Sequence, residues 1–191
     1  SRERGPILVD RAPIAESVST DDDLQYLREY AAGQMFASAT GFYSIVYGAT
    51  GLEKAENPVL SGEDPRLFVD RMQQLFGGRQ IKGGAVTTTL DAAAQRAAWD
   101  GLKGKVGSVV AIEPSTGRIL AQVQSPSFDP NGLSSHNSKE VNAYYRSLED
   151  DEDKPLLNRP IAKTNPPGST FKVVTAAAAL ESGRFEPDSI R

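Results

Sequence analysis

Ser169 and Lys172 stand three residues apart in the stretch NPPGSTFKVVTAAAAL, positions 165–180. A serine hydroxyl is a weak nucleophile until a base takes its proton, and a neutral, desolvated lysine amine can be that base. Residues three apart on a helix are neighbours, so the Lys172 amine can lie beside the Ser169 hydroxyl. A serine at a helix N-terminus also has backbone N–H groups, and the positive end of the helix dipole, where an oxyanion would develop. Pro166 and Pro167 stiffen the approach, and Gly168 has no side chain to block access. A plainer reading competes. Serine is a favoured N-cap, and Ser-x-x-Lys arises by chance roughly once in a chain of this composition. The spacing alone leaves both readings open.

The elements around the pair have to position it. Phe171, Val173, Val174 and 176–180 leave almost no polar face, so the pattern predicts a helix buried on most sides and ended by Gly183. A lysine in the first turn of such a helix needs a partner, because desolvation disfavours its charged form. Upstream, GSVVAIE and RILAQVQ read as two strands joined by PSTG, a hairpin in which Pro114 presets the turn and Gly117 supplies a positive φ. AVTTTLD reads as extended and AAAQRAAWDGL as helical. The four glycines of GGRQIKGG (77–84) mark the best boundary. Before it, GPILVDR reads as a short strand. TDDDLQYLREYAA reads as a helix, with Thr20 and Asp23 in capping-box positions. EDPRLFVDRMQQLFGG predicts a second helix, capped by Asp64, with Pro65 in its first turn and an apolar stripe of Leu67, Phe68, Met72, Leu75 and Phe76.

Composition narrows the chemistry further. The 191 residues carry a net charge of only −4, so no basic footprint argues for nucleic acid. The absence of cysteine excludes a disulfide framework, a thiolate nucleophile and a Cys-ligated zinc site. The sole histidine, His136, lies in the polar stretch LSSHNSK and reads as a surface loop residue, which argues against a Ser-His-Asp triad. The acidic run 149–154 reads as a solvated loop without the spacing of a calcium site. No apolar run reaches the length of a membrane span, and the opening SRERG reads as a trimmed start without a signal peptide.

Several segments match one family in order. PPGSTFK followed by VVTAAAAL resembles the active-site serine segment of the class B penicillin-binding proteins, the D,D-transpeptidases that cross-link peptidoglycan. RGPILVDR (4–11) resembles their Arg-Gly-x-Ile-x-Asp-Arg signature. TTTLDAAAQRAAWDGL (87–102) resembles the Thr-x-Asp-x-x-x-Gln entry to the transpeptidase domain. Residues 107–131 resemble the hairpin and the Pro-Ser-x-Asp-Pro-Asn loop after it, and LLNRPI (156–161) resembles the Asn-Arg element before the serine. TGFYSIVYGATGLEKAENPVLSG is most similar to an actinobacterial branch of the family.

The resemblance implies an α+β fold. Residues 1–83 would form a mixed α/β pedestal or dimerisation-like module, and 84–191 the first part of a transpeptidase domain with helices on an antiparallel sheet. It implies Ser169 as the acylated nucleophile, Lys172 as its general base, and no metal or organic cofactor. Implied partners are D-Ala-D-Ala stem peptides of peptidoglycan, β-lactams, the C-terminal remainder of the domain and a glycosyltransferase of division or elongation. The implied location is the extracytoplasmic face of the membrane, held by an N-terminal anchor absent from this chain. The family's Ser-x-Asn and Lys-Ser/Thr-Gly motifs follow the serine helix. SHN at 135–137 precedes it and AKTN at 162–165 is not the second motif, so the expectation is an N-terminal part, inactive alone. A β-lactam sensor, a non-catalytic scaffold and, less well matched, a serine β-lactamase are the alternatives.

Overall fold

The computed structural model describes residues 3–67 and 82–189. Strand β1 (Ile7–Val9) turns into β2 (Ala12–Ser19) through Asp10 and Arg11, whose φ angles of 49° and 69° suit a two-residue hairpin. The next segment is the first departure from expectation. Residues 20–25 form a turn and β3 (Tyr26–Tyr30) is a strand paired with β2 from Ser19↔Tyr26 to Ala15↔Tyr30. The Asp22 carboxylate is the cause. Its Oδ1 accepts from Thr20 Oγ1 at 2.8 Å and from the Leu24 and Gln25 N–H groups at 3.1 Å, which closes an Asx-type turn in place of a helix cap. Along β3 burial then alternates, with Arg28 and Tyr30 inside and Glu29 outside.

Strand β6 (Val86–Thr87) lies parallel to β1, so the order is β3-β2-β1-β6. Between β3 and β6 run α1 (Gly33–Thr40), the small pair β4 (Tyr43–Ser44) and β5 (Gly48–Ala49), α2 (Gly51–Ala55) and α3 (Asn57–Leu60). The helix expected after Asp64 falls mostly outside the described residues. Its start is a 3₁₀ turn, Pro65–Leu67, in which Asp64 Oδ1 accepts from the Arg66 N–H at 2.7 Å. Ile7, Val9, Ile14, Tyr30, Met35 and Phe36 build the core over this sheet, and Leu90 and Trp99 pack into it from beyond residue 84.

The helix and the hairpin expected after residue 84 are present. Helix α4 (Ala92–Gly101) is capped by Asp91, whose side chain accepts from the Ala94 N–H at 2.7 Å. It packs on the hairpin of β7 (Gly107–Ile112) and β8 (Ile119–Ser125), closed by a Gly117 N–H bond to the Glu113 carbonyl with Gly117 at φ 74°. Ala121 and Val123 of β8 are buried, whereas Val110 and Ile112 of β7 are exposed. Short α5 (Asn131–Ser134) leads to α6 (Ser138–Glu149), and Phe42, Phe128, Leu133 and Leu148 form a second core there. After α7 (Arg159–Ala162) come a 3₁₀ turn, Gly168–Phe171, and α8 (Lys172–Glu181). Helix α8, expected to be buried in a whole domain, is exposed along its length here, with Ala179 half-buried. An apolar pattern only prescribes that a helix needs cover, and within the described residues nothing supplies it.

Candidate active site

Ser169 lies inside the 3₁₀ turn and Lys172 opens the helix that follows. The Lys172 N–H donates to the Ser169 carbonyl, a bond that joins residues three apart. In a 3₁₀ turn residues at this spacing eclipse, so the two side chains leave the backbone on the same side. Gly168 precedes them at φ 55° with open space where a Cβ would stand. The local structure also addresses the plainer reading. Neither the turn nor α8 has a side-chain N-cap bond, and the Thr170 hydroxyl, not that of Ser169, is engaged, by the Pro167 carbonyl. The Ser169 hydroxyl is left for other use. Both Ser169 and Lys172 are exposed, so the described residues do not provide the desolvation that makes lysine a base.

The other motif residues are structural ties. Thr89 Oγ1 donates to the Ile119 carbonyl at 2.8 Å, and the Asp91 N–H to the Leu120 carbonyl at 2.9 Å, which sets α4 against β8. Gln95 is wholly buried and exchanges bonds with the Gln122 backbone: Nε2 donates to its carbonyl and Oε1 accepts its N–H, both at 2.9 Å. Asn131 pairs with edge strand β3 as a short strand would, its Oδ1 accepting the Tyr30 N–H at 2.9 Å and its Nδ2 donating to the Tyr30 carbonyl at 3.0 Å. Arg159 is buried and donates from Nη1 to the Lys154 carbonyl at 3.0 Å and from Nη2 to that of Asp153. The acidic run is therefore exposed in its side chains yet pinned through its backbone. Gln124 closes the same loop, with Nε2 on the Pro155 carbonyl at 2.7 Å and Oε1 accepting the Arg159 N–H at 3.0 Å.

A buried ionic cluster organises the N-terminal part. Glu53, at 0% exposure, accepts Arg4 Nη2 at 2.8 Å on one oxygen and Arg28 Nε at 2.6 Å on the other. Tyr30 adds its hydroxyl at 3.2 Å, and Arg4 stacks over the Tyr43 ring at 4.2 Å. Burial first, and then the Glu53 charge, push the Tyr30 phenol well above its ordinary range. The composition of RGPILVDR offered the arginine, but nothing local marked Glu53 as its partner.

His136 is not a free loop residue. Its Nδ1 contacts Asp22 Oδ2 and its Nε2 lies 3.1 Å from the Tyr26 carbonyl, tying the loop before α6 to the β2–β3 turn. The bond to His136, then that from Thr20, lowers the Asp22 carboxyl to about 2. A cleft of about 590 Å³ opens here, lined among others by Glu16, Arg28, Asn131 and His136, away from Ser169.

This arrangement, a serine and a lysine on one turn after an antiparallel hairpin, joined to a small mixed sheet, has clear counterparts. Residues 4–86 match the penicillin binding protein A dimerisation domain and 107–190 the penicillin binding protein transpeptidase domain. The chain belongs to the penicillin-binding proteins. Over 188 residues it is 50% identical to the peptidoglycan D,D-transpeptidase PbpA of Mycolicibacterium smegmatis, covering 96% of this chain and 38% of that protein. PbpA of Mycobacterium tuberculosis is 47% identical over 195 residues, covering 100% of this chain and 40% of the relative. Penicillin-binding protein A from M. tuberculosis, solved as a penicillin G acyl-enzyme complex, superposes with a TM-score of 0.94 at 48% identity. That superposition covers 98% of this chain and 44% of the other. The chain thus spans about two fifths of the length of the curated relatives it matches.

Proposed function

We propose that this chain carries the acylating serine of a peptidoglycan D,D-transpeptidase. The observation that carries the reading is the Ser169–Lys172 turn, with a serine hydroxyl not spent on capping and a lysine three residues on. It stands in the segment that matches the transpeptidase domain. The acyl-enzyme state of the M. tuberculosis relative supports it. In the proposed reaction Lys172, neutral, takes the Ser169 proton as Oγ attacks the carbonyl carbon of the penultimate D-Ala. The tetrahedral oxyanion collapses, the C–N bond breaks, and the terminal D-Ala leaves as its amine with that proton. An amine of a neighbouring stem peptide then attacks the ester, forms the cross-link and returns the proton to Ser169. A β-lactam follows the first half only, because its leaving nitrogen stays tethered to the acyl group.

Residues 1–83 are proposed to act as a pedestal and partner surface, and 84–191 as the first part of the catalytic domain. The base needs a drier setting than α8 has here, so the Ser-x-Asn and Lys-Ser/Thr-Gly elements of the family must complete the site. The 191-residue chain alone is then inactive. The chemistry places the protein on the outer face of the cytoplasmic membrane, with a cell-wall glycosyltransferase as its natural neighbour. The test is intact mass after incubation with penicillin G. The full-length protein should gain one penicillin mass, and Ser169→Ala should gain none. An adduct that survives Ser169→Ala would remove Ser169 from the mechanism.

A further inference from the structure

An α-helix leaves its last four carbonyls without intrahelical donors. Helix α1 ends at Thr40, and the Phe42 N–H that could have reached the Ser38 carbonyl donates to Thr50 Oγ1 at 3.2 Å instead. The Ser38 carbonyl is satisfied from elsewhere. It accepts Gln122 Nε2 at 2.7 Å and Asn158 Nδ2 at 2.8 Å. Gln122 is itself held by Gln95, and its carbonyl also accepts the Ser38 hydroxyl at 2.8 Å. Gln95 Nε2 donates in addition to the Met35 carbonyl at 2.8 Å. Side-chain amides from β8 and from the start of α7 therefore converge on one helix end, and Gln95 of α4 holds the Gln122 backbone behind them.

Asn158 differs from the other two in where its chain goes next. It precedes α7, and the chain beyond it runs to the Ser169 turn. Among the described residues, no side chain from 160 to 168 hydrogen-bonds to the body of the chain, and 161–170 are exposed. Asn158 and Arg159 are the last hydrogen-bonded anchors before the serine. The Arg159 side chain grips the loop behind it at the Asp153 and Lys154 carbonyls, whereas Asn158 reaches across 120 residues to α1.

We propose that Asn158 is a positioning residue for acylation: by capping α1 at the Ser38 carbonyl, it fixes the origin of the segment that delivers Ser169. The inference rests on the reading of Ser169 as the acylated nucleophile. It makes the first module part of the catalytic geometry, because the anchor point is a carbonyl of α1.

The experiment uses the full-length protein and a fluorescent penicillin, with saturable acylation kinetics, intact mass and thermal melting read on the same samples. Asn158→Ala removes the cap. Asn158→Asp keeps the shape but, ionised, has no proton to donate to Ser38. Both should lower the first-order acylation constant by roughly tenfold to a hundredfold per acylatable molecule, with the half-saturation concentration little changed. A merely structural role predicts something else: a lower melting temperature and fewer acylatable molecules, with the rate constant of those remaining untouched. That result, or wild-type rates in both variants, overturns the proposal. If neither variant folds, Asn158→Ser, a smaller polar side chain too short to reach the Ser38 carbonyl, is measured in their place, and an unchanged rate constant there overturns the proposal equally. Wild-type protein that forms no adduct, or Ser169→Ala that still does, overturns the nucleophile reading and this inference with it. Slow variants beside normal wild type and silent Ser169→Ala support both.

Discussion

Glu53 holds two arginines in the buried interior, and its worth lies in what its loss would strand. Breaking a buried pair by removing one partner costs on the order of 3–5 kcal/mol, because the remaining charge has no compensation. Here two guanidiniums would be stranded, since Arg4 and Arg28 are 7% and 3% exposed. Glu53→Gln should therefore lower the denaturant midpoint strongly, and a midpoint within error of wild type would deny the cluster its structural role. Asp22 makes a prediction of a different kind. Its folded pKa of about 2 lies below the ordinary carboxylate value of 3.8, so its stabilising effect is complete above 3.8 and is lost as pH falls through about 2. The side chain is solvent-accessible, so the readout is its carboxyl ¹³C titration. The midpoint should rise toward 3.8 in His136→Gln; a midpoint still near 2 would show that His136 is not the cause.

At the scale of elements, Gly83 and Gly84, at the end of the expected boundary, form a packing joint with Gly5. The Gly5 N–H donates to the Leu60 carbonyl at 2.9 Å, Gly83 N–H to Glu3 at 2.9 Å and Gly84 N–H to Val59 at 2.8 Å. A Cβ on Gly5 would stand 1.8 Å from the Gly84 carbonyl oxygen, and one on Gly83 1.8 Å from that of Leu60. Both obstacles are backbone and cannot swing aside. Gly5→Ala should therefore separate β1 from β6 and expose the Val86 and Thr88 amides. Hydrogen exchange there should rise well above that of the β7–β8 hairpin, and equal protection would contradict the joint. Asn131 works in the same spirit on the opposite edge of the sheet, where its amide completes the β3 ladder at Tyr30.

For the whole molecule, the two cores each draw on residues from both sides of residues 83–84. Leu90 and Trp99 fill the core over the first sheet, while Ala37 and Phe42 fill the one beside α6. What stays bare is the other side of the hairpin and the serine helix, with Ile112 at 56% exposure, Ile161 at 73% and Val173 at 74%. Isolated apolar residues on a surface are ordinary, but this many around one segment mark a face that requires cover. The 191-residue chain on its own should self-associate, and Val173→Ser with Val174→Ser should weaken that association. Sedimentation velocity decides it: a clean monomer at micromolar concentration would mean the face tolerates water.

Local signals carried a good part of this protein. Alternation and turn chemistry sufficed for β1 and for the hairpin with Gly117, and helical composition for α4, because each depends on residues within one turn, strand or helix. The Ser169–Lys172 pair was legible for the same reason, and the ordered motifs around it pointed to the family. Tertiary structure decided the rest. The Asp22 carboxylate can cap a helix or close an Asx turn, and only β2 lying alongside makes Tyr26–Tyr30 a strand. The amides of Gln122 and Asn158 are unremarkable letters until the fold carries them to the end of α1, across separations as large as 120 residues. Composition determined that α8 must be covered if Lys172 is to lose its hydration. Which surface does so is a property of packing between distant parts, and no local pattern encodes it.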